Sequence, residues 1–166
     1  MTAWPEGVRI AIAGDEARVF DLCVMAHAEN GFGRMDELIV REFIRQATHR
    51  ENCIIAIIDG PEHIEAMLGL RPLKLWYSLN EPDSYYWSDL FFFVHPLHRQ
   101  SRHAAKLFRF AQWWEGEIHA PVILELLPRE DFEQKDKLFA RFGKRIGGAY
   151  AIGDLGKMAV SGNARH

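Results

Sequence analysis

The run from Tyr85 to Ile118 constrains the fold more than any other part of the chain. Tyr85 to Val94 is rich in aromatic residues that fit a pleated, half-buried surface, and it reads as a long central strand. Pro96 cannot donate a ladder hydrogen bond, so the strand must end or splay there and leave backbone groups free for another partner. From about Ser101 the apolar period changes. Ala104, Leu107, Phe108, Ala111, Trp114 and Ile118 fall on one stripe at 3.6-residue spacing, which predicts a helix. Pro121 to Leu127 is a short apolar run after that helix, so the second strand should lie parallel beside the first.

The remaining elements are read outward from this unit. Val8 to Ile12 suits a short strand, and Gly14-Asp15 offers a turn and an N-cap for a helix carrying Phe20, Cys23, Val24 and His27. Asn30-Gly31-Phe32-Gly33 stops that helix. A second begins near Asp36, with Val40, Phe43, Ile44 and Ala47 on one face. Cys53 to Ile58 is apolar throughout, too short and too β-branched for a helix, and is expected as a buried strand. Ile64 to Leu70 returns as its hairpin partner, and Arg71 to Ser84 is expected as a loop. Leu138, Phe139 and Phe142 mark a fourth helix, for which Gly143 offers a left-handed cap. Gly147 to Ile152 and Lys157 to Val160 are expected to close the sheet as a hairpin, leaving a frayed tail at 161–166. The expected fold is α/β (α+β): one domain over 1–166, with a mixed, mostly antiparallel sheet of six to seven strands flanked by about four helices.

A chain of 166 residues with 48% hydrophobic and 26% charged residues fits one soluble core. The net charge of −3 gives no general attraction to nucleic acid or an anionic membrane, so any basic surface must be local. Cys23 and Cys53 form no CxxC motif and are expected as buried, reduced thiols, which suits a cytoplasmic protein. No apolar run approaches the roughly 18 residues that span a bilayer, and no signal peptide is read at the N-terminus.

The basic loop lies at the N-terminus of the Ala104 helix, where unpaired backbone N–H groups and partial positive charge favour phosphate oxygens. Arg99, Arg102 and Lys106 add cations. The sequence Val94-His95-Pro96, then Arg99-Gln100-Ser101-Arg102-His103-Ala104, resembles the acetyl-CoA signature of the GNAT acyltransferase superfamily: a strand ending V-x-P, then R/Q-x-x-G-x-G/A opening a helix. The element order resembles that family over most of the chain, and Leu138-Phe139-Ala140-Arg141-Phe142-Gly143 is similar to its L-Y-x-x-x-G-F segment. The resemblance implies acetyl transfer from acetyl-CoA to a small-molecule or peptide amine. It further implies that backbone around Phe92, Phe93 and Val94 pairs with the pantetheine arm, while Arg99, Gln100, Ser101, Arg102, His103 and Ala104 cradle the pyrophosphate. In two places the chain departs from the pattern. Arg102 stands at the loop's central glycine, and Phe139 stands where many members have a tyrosine that protonates the departing thiolate.

Direct attack by an amine needs a base, and Asp89 and Glu125 put carboxylates into mostly apolar strands where burial raises a pKa. Tyr85, Tyr86 and Tyr150 are candidates for the missing acid, and Tyr150 is the preferred one. Each of these residues has a plainer reading as an ordinary strand side chain. By resemblance, His27, Glu29, Asn30, Gly31 and Phe32 shape the acceptor site. The aromatic segment Trp76, Tyr77, Tyr85, Tyr86 and Trp87 either walls an acceptor pocket or covers the core. His95, His98 and His103 are expected to neighbour the cofactor loop rather than hold a metal, because Pro96 intervenes and no fourth ligand lies nearby in sequence. The expected partner is a small-molecule or peptide amine, with neither nucleic acid nor membrane, and a homodimer is left open. The rival reading is a binding or scaffold module on the same fold that has lost catalysis.

Overall fold

A computed structural model describes residues 4–31, 33–74, 85–125 and 132–145. In chain order the elements are β1 (Arg9–Ile10), α1 (Glu16–Asn30), α2 (Glu37–Thr48), β2 (Ile54–Asp59), β3 (Ile64–Lys74), β4 (Tyr85–Val94), α3 (His103–Ile118), β5 (Val122–Ile123) and α4 (Phe132–Phe139), with 3-10 turns at Ala13–Asp15 and Pro96–His98. The strands lie in the order β1-β2-β3-β4-β5. The first four are antiparallel and β5 runs parallel to β4, as expected for a strand reached through a helical crossover.

β2 explains its own composition. Its side chains alternate across the sheet, so Ile55 and Ile57 join a core under α1 and α2 while Ile54, Ala56 and Ile58 join a second core under α3. A strand covered on both faces has no polar side to show, hence the unbroken apolar run. On the first face α1 contributes Val19, Phe20, Leu22 and Cys23, and α2 contributes Ile44 and Ala47. On the second, Leu107, Phe110 and Ala111 of α3 pack against the sheet. Asp36 starts α2 by accepting hydrogen bonds from the N–H groups of Leu38 (3.0 Å) and Ile39 (3.3 Å), which satisfies donors the helix cannot.

The chain entry is fixed by charge. Asp15 is buried and accepts two hydrogen bonds from the Arg9 guanidinium at 2.7 and 2.8 Å, plus one from the Ile12 N–H at 2.9 Å. Arg9 also bonds Asp59 at the end of β2, and Arg18 of α1 pairs with the same Asp59 at 3.0 Å. The Arg9 hydrogen bonds hold the Asp15 carboxyl below its ordinary range despite its burial.

Several expectations change. The described sheet has five strands rather than six to seven; the closing hairpin at Gly147–Ile152 and Lys157–Val160, and the tail, lie outside the described residues. β3 runs on through Arg71 to Lys74, residues expected in a loop, because they pair with Tyr85 to Ser88 of β4. Gly143 is not left-handed; its N–H closes a turn onto the Phe139 carbonyl, and the left-handed helix cap is His119 at the end of α3, with φ 51°. Among the described residues, no helix is long and apolar enough to cross a membrane.

Candidate active site

The site begins with a fault in β4. Gly69 pairs with Phe91 and Leu70 with Asp89, so Leu90 is an extra residue that bulges the strand and increases its twist. Gly69 makes room at this point, since a Cβ there would sit 2.6 Å from Cζ of the Phe91 ring that lies across it. On the other edge β5 pairs with Trp87 and Ser88, and among the described residues no strand continues beside Phe91 to Val94. The opening expected at Pro96 therefore starts much earlier, at Asp89. There the carboxylate Oδ1 accepts the Glu125 N–H at 2.6 Å, taking the diverging chain's donor away from a ladder bond. Pro96 does end the strand, and it opens the following 3-10 turn.

A cavity of about 650 Å³ opens beside this edge. Its floor is β4 from Asp89 to Val94; one wall is the C-terminal half of α1 through Gly31, with Met35 and Val40, and the other is α4 with Gln134, Lys135, Leu138 and Phe139. Phe92, Phe93 and Val94 line it as expected, as do Arg99 and Ala104 at its α3 end. Gln100, Ser101 and Arg102 do not line it; they are exposed. The Ser101 hydroxyl accepts the His103 N–H at 3.1 Å. Arg102 has φ −91° as the N-cap of α3, so the position expected to need glycine carries no left-handed strain. The His103 side chain leaves the loop for Glu65 of β3, at 2.6 Å.

Opposite charges gather at the rim. Glu29 of α1 pairs with Arg99 from the loop and with Lys135 of α4, whose Nζ is 3.5 Å from Oε1, while the same Nζ donates to the Asn30 side-chain Oδ1 at 3.2 Å. This carboxylate ties three separate elements around one opening. Of the acceptor residues expected by resemblance, His27, Glu29, Asn30 and Gly31 all line the cavity, and Phe32 lies outside the described residues. Lys135 carried no signal in the sequence, because its role depends on α4 folding back over α1.

Asp89 and Glu125 both line the cavity, and the structure brings them together. Burial pushes the Asp89 carboxyl up to about 7, opposed by backbone hydrogen bonds from Glu125 and from its own N–H and reinforced by the Glu125 charge. Glu125 is exposed, with Oε1 3.4 Å from the Ser88 hydroxyl. A carboxyl poised near neutrality in an apolar cleft suits proton abstraction. Cys23 also lines the cavity, but burial pushes its thiol up to about 12, so it offers no nucleophilic thiolate. Tyr150 lies outside the described residues, and no tyrosine lines the cavity among the described ones. Phe139 fills its wall against Phe92 (5.5 Å between ring centroids) and Phe108 (4.8 Å). Trp87 packs on Trp114 in the α3 core, so it covers the core and does not wall the pocket.

His95, His98 and His103 do not line the cavity. They gather at the end of the sheet with His63 and Glu65, which corrects the expectation that no further ligand lies near them. Burial, then the neighbouring His63, His98 and Arg99, hold the His95 imidazole below its ordinary pKa.

No protein-family model matches the sequence, and no curated protein does. Solved structures do. A predicted acetyltransferase from Clostridium acetobutylicum, solved with acetyl-CoA, superposes with a TM-score of 0.71 at 10% identity, over 90% of this chain and 96% of that one. An aminoglycoside 6'-N-acetyltransferase from Acinetobacter haemolyticus gives 0.65 at 14% identity, over 89% and 96%. A GCN5-related N-acetyltransferase from Ralstonia eutropha JMP134 gives 0.63 at 17% identity, over 89% and 97%. A bulged central strand, an edge left open beside it and a helix starting at the far end of the resulting cavity are thus set in the fold of the GNAT acetyltransferases.

Proposed function

We propose that the chain is an acetyl-CoA-dependent N-acetyltransferase whose acceptor is a small-molecule or peptide amine. The observation that carries the reading is the open edge of β4 facing a cavity that also holds Asp89. In this reading the edge pairs with the amide-bearing pantetheine arm as a strand would, and the first-turn amides of α3 with Arg99 take the pyrophosphate. The Clostridium neighbour, solved with acetyl-CoA, and the aminoglycoside-modifying neighbour support the cofactor and the amine class respectively.

Asp89 takes a proton from the acceptor ammonium, directly or through one water. The free amine attacks the thioester carbonyl, a C–N bond forms, the C–S bond breaks, and a β4 N–H receives the developing oxyanion. A thiolate is a competent leaving group, with an ordinary thiol pKa near 8.5, and can take its proton from water. A phenol at Phe139 is therefore dispensable.

The absence of a tyrosine from the described lining also favours a second reading, a module that binds acetyl-CoA without turning it over. Calorimetry with acetyl-CoA, followed by thiol release across an amine panel, separates the two. Binding with turnover is expected. No binding at millimolar acetyl-CoA would sink both readings, and binding without release for any amine would leave the module.

A further inference from the structure

The end of the sheet beyond the cavity holds a second constellation, built from three parts of the chain. His63 lies in the turn between β2 and β3, Glu65 near the start of β3, and His95 and His98 on either side of Pro96 after β4. Strand pairing fixes them. Ala66 is opposite Val94, and the His95 N–H donates to the Glu65 carbonyl at 2.8 Å, so the backbones that carry these side chains are locked side by side.

One ring nitrogen each of His63, His95 and His98 lies within 4.8 Å of the others. The Nε2 atoms of His63 and His98 face each other at 3.2 Å. Two imidazoles on one tetrahedral ion with metal–nitrogen bonds of 2.0–2.1 Å have their nitrogens about 3.3 Å apart, so this pair already has a ligand spacing. Glu65 Oε1 is 3.7 Å from His98 Nε2, and Glu65, His98 and His103 form a second group that shares the His98 ring with the first. Its other oxygen is held by His103 Nε2 at 2.6 Å, and among the described residues that carboxylate is the only polar partner of the His103 ring, whose Nδ1 is buried without one. A carboxylate oriented by a histidine is the outer support that metal ligands commonly carry.

A hydrogen bond between His63 and His98 accounts for one lone pair and one proton. It leaves the third imidazole of the group, at 4.3 Å between ring centroids from His63 and with its Nδ1 accepting the Leu97 N–H at 3.3 Å, without a partner shared with the other two rings. A cation supplies that partner for all of them at once.

We propose that His63, His95 and His98 bind one late first-row divalent cation of the zinc class, with Glu65, positioned by His103, as the carboxylate beside the His98 ligand. Imidazole-rich sets suit zinc, nickel and copper, whereas magnesium and calcium prefer all-oxygen cages. The ion would clamp the β2–β3 turn to the loop that leads into α3, fixing the end of the cavity where Arg99 and Ala104 sit. The site stands apart from the acetyl-transfer reading, because it is read with neither acetyl-CoA nor an amine present.

The test is calorimetric titration of the tag-free, chelator-stripped full chain with zinc chloride, repeated with cobalt chloride while the visible spectrum is recorded. One equivalent of zinc, a raised thermal midpoint and the intense visible bands of four-coordinate cobalt are expected. His63→Ala and His98→Ala should each weaken zinc at least about 100-fold, Glu65→Gln and His103→Ala about 10-fold, and His49→Ala, at the residue that follows α2, should leave it unchanged. His63→Gln and His98→Gln repeat the test where an alanine variant loses its native circular dichroism. Zinc binding that is absent, or equal in the wild type and in folded His63 and His98 variants, would overturn the proposal, as would the weak bands of six-coordinate cobalt.

Discussion

Replacing Asp89 by asparagine should stabilise the protein and disable it at the same time. Asp89 has a carboxyl pKa of about 7 in the fold against 3.8 for the unperturbed group. The folded chain therefore holds this proton more tightly than the unfolded chain does, and stability falls as pH rises between those two values. At about 1.4 kcal/mol per pH unit across that window, ionising Asp89 in place costs up to about 4 kcal/mol by pH 8 and almost nothing below pH 4. Asparagine keeps an oxygen for the Glu125 N–H and cannot ionise, so Asp89→Asn removes the cost and spares the hydrogen bond. Urea unfolding of wild type and variant at pH 4, 6 and 8, followed by tryptophan fluorescence, should give matching free energies at the lowest pH and a variant that is progressively more stable above it. In the acetyl-transfer assay the wild-type rate should rise with pH through about 7, as the carboxylate forms, while Asp89→Asn loses about 10²- to 10⁴-fold in kcat/KM. Free-energy differences that do not change with pH would show that Asp89 titrates normally, and a fully active variant would show that the base lies elsewhere. A group that costs stability where it is needed for chemistry is the expected signature of a functional residue.

Other substitutions test the frame around it. Gly69→Ala should push the Phe91 ring off the bulge and destabilise by about 1–3 kcal/mol in thermal unfolding, since a Cβ there would meet the ring at 2.6 Å. Asp15→Ala leaves Arg9 half exposed with Asp59 as its remaining partner and should cost about 1–2 kcal/mol in urea at pH 7. Because the Asp15 carboxyl lies below its ordinary value, its contribution is present above about pH 4 and fades as pH falls, the opposite sign to Asp89, so the variant and wild type should converge in acid. Arg99→Ala, which empties the α3 end of the cavity of its cation, should raise the acetyl-CoA dissociation constant about tenfold, and Arg102→Ala, exposed and outside the lining, less than about fivefold by calorimetry.

What the sequence made legible follows from how local each cause is. β2, β4 and α3 could be read because apolar period and Pro96 act within a few residues, and the strand–loop–helix unit they form carries Phe92, Phe93, Val94 and Ala104 into the cavity wall. Asp89 and Glu125 were legible as carboxylates in apolar strands. Their contact was not, because it depends on where β5 leaves β4. The left-handed cap was sought at a glycine, although His119 takes that conformation at the end of α3.

The bulge at Leu90 and the histidine cluster share a deeper reason for being hidden. Both are properties of register, and register belongs to two segments at once. Leu90 is an ordinary strand residue until Gly69 and Leu70 take Phe91 and Asp89 as partners. His95, His98 and His103 look like isolated turn residues until the same pairing delivers His63 and Glu65, 35 residues before His98 and 38 before His103. The β3–β4 ladder therefore does two jobs with one register. Its fault at Leu90 opens β4 toward the cavity, and its regular end at Ala66 and Val94 sets the imidazoles at ligand spacing beside the loop that closes that cavity. A one-residue slip would turn every β4 side chain to the opposite face and remove both features together.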